Sequence, residues 1–364
     1  MERERSGKIP WIVVLLLVTA LCALSYLAAY LVHRAGGGSF GSSRAVGGSA
    51  DMQLQVAGDG FVYYDGSTLT QVNSRGDTDW SYRIGGGVTF EATSSGVAAW
   101  NGSMLTLIDG QSGTTTYSGE QDTAVTSAKL GAKYAAVLLE GDSNRVLVME
   151  SGGREVYTVD AGQLTVVDYG FYSSGSLLWV MALDTTGSTP TCAIYTYKPR
   201  SMSIIGNISD TEQLMYAVTF QTDRICTAGV TYYKVYDYNA REIESQRKLV
   251  YGWYLVDSDA SADGALMAFV PMAEIGTTAE INDVRLVKGN TDRTIRMPFT
   301  CFSILARGNA VYGFSDQYVM IHALNAEQAE TYQLPFQCDA LIGITSSSSA
   351  VLVSGDSVYM VPLP

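Results

Sequence analysis

The sequence predicts an all-β repeat protein: eight consecutive four-stranded units, with seven as the alternative, behind one N-terminal transmembrane helix. Three observations carry this. One pattern of short strands recurs from about residue 60 to the C-terminus of the 364-residue chain. Composition agrees: 37 Gly supply turns, 23 Tyr with many Val and Thr suit strands, and only 8 Pro occur. Finally, residues 11–32 run without a charge.

Residues 1–10 form a short polar tail with Arg3, Arg5 and Lys8. The 22 residues of 11–32 would span roughly 33 Å as a helix, enough for the hydrocarbon core. The run is longer than a cleaved signal's apolar region, and no small-x-small site follows, so an uncleaved signal anchor is expected. Leu21 precedes Cys22 where a lipoprotein signal wants a small residue, which argues against lipidation. Three basic residues stand before the span and Arg34 and Arg44 after it. This bias, with the short leading tail, puts the N-terminus in the cytoplasm and the rest of the chain outside.

Residues 33–50 read as a Gly/Ser-rich linker, and 35–50 (AGGGSFGSSRAVGGSA) has almost nothing to bury. Repeats fill 51–364. Aligned units begin near Gly60, Gly96, Lys133, Ser176, Asp223, Ala265, Asn309 and Ser349, spaced by 36 to 47 residues. Each reads as apolar strand, turn, apolar strand, turn, more polar strand. Another alternating stretch precedes each unit: MQLQVAG, VTFEATS, AVTSAKL, QLTVVDY, LMYAVTF, YLVDSDA, CFSILAR and CDALIGI. That makes four strands per unit, and a four-stranded unit of about 40–45 residues is a β-propeller blade. Neighbours in a ring bury the faces that one blade cannot. The last unit ends after three strands, so its outer strand is either missing or supplied from near residue 50.

Residues 60–84 resemble a quinoprotein-type repeat through Val62-Tyr63-Tyr64-Asp65-Gly66, Leu69, Val72-Asn73, Gly76 and Trp80-Ser81-Tyr82. Residues 260–270 (ASADGALMAFV) resemble the blade opening of TolB-like propellers. The whole layout is similar to a family of single-pass membrane-anchored propellers from clostridia-like bacteria. These resemblances imply a blade type and no activity. Quinone-dependent dehydrogenases share the first repeat, which would imply a calcium-bound quinone and typically adjacent cysteines; no adjacent cysteines occur here.

Net charge is −13, and the first 50 residues carry +3, leaving about −16 on the repeat domain. A domain this acidic repels nucleic acid. Cys192, Cys226, Cys301 and Cys338 are scattered without a CxxC pair, so zinc is not supported; free buried thiols are expected, with disulfides allowed. His33 abuts the apolar span, leaving His322 as the only candidate for a Ser-His-Asp arrangement, and a lone strand histidine is more often structural. Asp109-Gly110 and Asp263-Gly264 read as turns. Asp257, Asp259 and Asp263 lack the ligand spacing of a calcium loop. Tyr232, Tyr233, Tyr236 and Tyr238, with Tyr251, Trp253 and Tyr254, suit either blade packing or an aromatic binding platform.

No catalytic, cofactor or metal residue is assigned. The expected function is a non-enzymatic protein-binding or scaffold module outside the cytoplasmic membrane, with a protein partner and no nucleic acid. A surface glycan-binding or glycan-cleaving propeller is the alternative.

Overall fold

Eight antiparallel four-stranded sheets follow one another along the chain in the computed structural model, which describes residues 43–201, 203–261, 264–276 and 280–363. Seven blades are therefore excluded. Blades 1 to 7 are simple meanders of four consecutive strands. Blade 1, for example, runs through Gln53–Ala57, Gly60–Tyr64, Thr68–Val72 and Thr78–Arg83. The eight innermost strands are Gln53–Ala57, Thr89–Thr93, Val125–Leu130, Thr165–Tyr172, Met215–Phe220, Trp253–Ser261, Ser303–Arg307 and Ala340–Ile344. Six fall within the alternating stretches that the sequence marked, and the other two, Thr165–Tyr172 and Trp253–Ser261, overlap theirs and run past them.

The core sits between blades, because both faces of each central strand are apolar and need a neighbour. Eight buried clusters result, one per blade junction. Val62, Leu69 and Trp80 of blade 1 pack on Phe90, Val97 and Ile108 of blade 2. At the ring's closure, Phe61 and Val72 meet Val351, Val358 and Met360.

The quinoprotein-like motif has a packing explanation. Trp80, on the outer strand of blade 1, donates its indole N–H to Gly110 O at 3.0 Å in blade 2. Its ring lies over Gly113, where a Cβ would come within 2.5 Å of the indole. Gly113 also has φ 66°, so the turn and the close approach both demand glycine.

Residues 44–49, expected as the end of the linker, are instead a strand. Arg44–Ser49 pairs antiparallel with Ser357–Pro362 and supplies the fourth strand of blade 8. An open edge on the last blade provides the backbone partners, and blade 1 holds the strand's start. Arg44 donates to the carbonyl of Arg75 and, at 2.8 Å, to Asp77. Gly47 and Gly48, which looked like linker residues, leave room for the ring of Tyr63. The tail 1–10, the span 11–32, Cys22, His33 and the rest of the linker lie outside the described residues. Among the described residues no helix is long and apolar enough to cross a membrane.

Connections between first and second strands, and between third and fourth, lie on one face, termed lower here. The second-to-third and blade-to-blade connections form the upper face. Blade 5 has the shortest outer strand, Lys248–Leu249.

Candidate functional site

Most polar residues singled out in the sequence serve the scaffold. His322 is buried, with Nδ1 2.8 Å from the carbonyl of Ala323. Asp109 accepts the backbone N–H of Ser112 at 2.8 Å and of Gln111 at 3.1 Å; these bonds hold its carboxyl below the usual range, as a turn residue. Asp257 accepts the N–H of Ala306 at 2.8 Å, and Asp259 accepts that of Gly308. Both therefore tie blade 6 to blade 7, while Asp263 lies outside the described residues. All four domain cysteines are free and buried. Burial pushes the thiols of Cys301 and Cys338 up to about 12. No group of three or more His, Cys, Asp or Glu arranged to hold a metal occurs among the described residues.

Inner strands carry one charged cluster on the channel wall. Lys129 Nζ stands 3.0 Å from Asp168 Oδ1 and 3.9 Å from Glu91 Oε1. Burial raises the pKa of Glu91, with Lys129 opposing. The cation shared by both carboxylates links blades 2, 3 and 4.

The tyrosine-rich region divides. Tyr233 and Tyr236 are core residues. Tyr251 and Tyr254 are exposed on the upper face, and Tyr254 stacks on Tyr216 at 5.0 Å. Around them the upper connections of blades 4 to 6 expose Leu214, Val230, Met272 and Ile275, and the upper ends of two strands expose Val167 and Leu249. Val230 is 49% exposed, Met272 57% and Tyr251 76%. Val230 N–H donates to Leu214 O at 3.0 Å, Val250 to Thr231 O at 2.7 Å, and Met272 to Gly252 O at 2.9 Å. These bonds hold large apolar side chains outward on fixed loops. Between blades 4 and 5 the face dips into a cleft of about 380 Å³, lined by Val167, Leu183, Leu214, Met215, Tyr216 and Val230 with Asp168 at its wall.

Sequence reasoning missed this face, apart from Tyr251 and Tyr254. The available signal was apolar residues at turn positions, such as Val230 after Gly229 and Met272 after Pro271.

Beside the cleft, Lys234 and Asp210 are buried together. Lys234 Nζ lies 3.0 Å from Asp210 Oδ2 and donates to Glu212 Oε2 at 2.6 Å. Burial alone would lower the lysine's pKa; the hydrogen bonds to Glu212 and Asp210 outweigh it and hold it above its ordinary value. Gln213 completes the cluster, donating to Asp210 at 3.1 Å and accepting from Tyr232 N–H at 2.6 Å. The cluster fixes the base of the connection that presents Leu214.

On the lower face, blades 5 to 7 enclose a polar cavity of about 480 Å³. Its lining includes Gln221, Arg224, Gln246, Thr291 and Asn325.

No protein-family model matches the chain, and no curated protein does. Solved structures match over nearly its whole length. BamB from Moraxella catarrhalis is 13% identical with a TM-score of 0.55, covering 89% of this chain and 96% of its own. The C-terminal WD40 domain of Sif2 is 11% identical at 0.59, with 90% and 100% covered. The WD40 domain of SCAP from fission yeast is 10% identical at 0.60, with 88% and 98% covered. At these identities the likeness is one of fold: a β-propeller.

Proposed function

We propose that the protein is a non-enzymatic protein-binding or scaffold module, held outside the cytoplasmic membrane by its N-terminal segment. The observation that carries this reading is the upper face of blades 4 to 6, where apolar side chains stand on backbone-bonded loops over a rigid ring. Contiguous exposed apolar surface of this kind marks interaction sites. Loops on a rigid scaffold are where binding residues concentrate. Propellers such as BamB and the WD40 domains are compatible scaffolds. The uncharged run 11–32, with Arg3, Arg5 and Lys8 before it, supports the anchored, tail-inside arrangement. The quinoprotein-like and TolB-like features of the blades fit the same scaffold role.

The glycan reading asks for two carboxylates facing each other across a pocket. Glu91 and Asp168 are two neighbouring carboxylates on the channel wall, but both point at Lys129, which lies within 4 Å of each and engages them in ion pairs. This makes glycan cleavage the weaker reading.

The test is purification of the full-length protein from gently solubilised membranes, with mass spectrometry of co-purifying material. A stoichiometric protein partner is the expected result. A partner-free preparation that retains a glycan on an array would replace this reading with the second. On intact protoplasts, added protease should digest the propeller; full protection would refute the topology.

A further inference from the structure

We infer that the cleft between blades 4 and 5 receives an apolar anchor side chain from a partner protein segment whose flanks are basic. This rests on the protein-binding reading above and specifies the partner's chemistry. The cleft is the natural anchor point of the upper face, because hot spots are buried side chains seated in apolar pockets. Its volume of about 380 Å³ is walled by Val167, Leu183, Leu214, Tyr216 and Val230. Aliphatic and aromatic walls suit a Leu, Phe or Trp side chain.

Charge selects what flanks that anchor. Asp184, at the upper end of strand Leu177–Asp184 in blade 4, and Glu280, on the upper connection of blade 6, have no ion-pair partner among the described residues. The two nearby clusters each carry a surplus carboxylate: Glu91 and Asp168 share Lys129, while Asp210, Glu212 and Glu242 face Lys234 and Arg247. Arg285 on blade 6 is neutralised by Asp292 at 2.8 Å, and Lys248, the one further cation beside that pair among the described residues, offsets only one of these negative charges. The surroundings are therefore net negative, which favours a basic partner and disfavours a second copy of the same acidic face.

The point where the chain enters the ring disfavours the remaining occupants. Arg44–Ser49 runs from the lower to the upper face on the outer edge of blade 8, so Arg44 lies low, beside Arg75 and Asp77. Blade 4 stands opposite blade 8 in a ring of eight. Residues 33–43 could span at most about 40 Å even if fully extended. The chain therefore enters the ring on the lower side at blade 8, across the ring from the cleft. This disfavours lipid and residues 11–32 as its occupant.

The test places the photocrosslinking residue benzoylphenylalanine at Val230 or Met272 of the full-length membrane protein. Control positions are Ile204 on the outer edge of blade 4 and Tyr238 on the lower face. Crosslinks from Val230 and Met272 to one protein are expected, with the crosslinked peptide holding a large apolar residue beside Lys or Arg. Asp184→Lys should lower that yield at least fivefold in the Met272 background, and Val230→Glu at least tenfold. An unchanged melting temperature would confirm that both variants fold; should Val230→Glu fail to, Leu214→Ser serves in its place. Crosslinks to lipid, to a second copy or to residues 11–32 would overturn the inference. Partner crosslinks from the control positions alone would overturn it and leave the protein-binding reading standing. No crosslinked protein from any position would overturn both.

Discussion

Lys234 shows how much one side chain can hold in this fold. Its ammonium is buried with Asp210, and Glu212 caps the pair from the surface. Removing one partner leaves the other charge buried and uncompensated, which typically costs about 3–5 kcal/mol. Lys234→Ala should therefore lower stability by about that amount in urea unfolding. The double change Lys234→Met with Asp210→Leu should recover most of the loss, since it removes both charges. A Lys234→Ala variant as stable as wild type would show that Asp210 does not depend on this lysine for compensation. The same residues support the connection carrying Leu214, so the cost in stability and the shape of the cleft are coupled.

At the scale of elements, the strand Arg44–Ser49 matters most, because it closes the ring from the other end of the chain. It covers the edge of Ser357–Pro362, and Val46 packs on the turn at Gly76 of blade 1. Proline cannot donate to a sheet ladder and would break this pairing. Ala45→Pro combined with Val46→Pro should speed amide exchange across blades 8 and 1 and leave blades 3 to 5 protected. Unchanged exchange at Val358 and Met360 would mean that the closing strand contributes little.

The whole molecule buries many tyrosines and thiols between its blades, and this sets its behaviour in alkali. Burial raises the pKa of Tyr169, Tyr233 and Tyr236, and pushes Tyr197, Cys301 and Cys338 up to about 12. In the unfolded chain these groups ionise near 10 for tyrosine and 9 for cysteine. A folded pKa above the unfolded one gives stability that is complete below the unfolded value and is lost as pH rises toward the folded value. The urea midpoint should therefore be flat up to about pH 8–9 and fall steadily through pH 11. A midpoint that does not move across that window would mean these rings and thiols are solvated.

The repeat was legible because strand alternation and blade length are local properties. Gln55, Glu91 and Lys129 alternate with apolar neighbours on inner strands, and the turn chemistry of Asp65 and Asp109 reads directly from Asp-Gly pairs. From these the sequence by itself determined the class and the approximate place of every inner strand, while the choice of eight blades over seven came from the closed ring. It left open whether the last blade's outer strand is missing or comes from near residue 50, and only the fold shows that Arg44–Ser49 supplies it, because Gly47 and Gly48 look like linker until Tyr63 is seen to occupy the space they leave. Nor could it show that Val167, Leu214, Val230 and Met272 share one face. Those residues come from different blades, and only the angular order of blades around the ring brings them together. Local patterning sets what each blade is; the closed ring decides which of their loops meet, and so where a partner can bind.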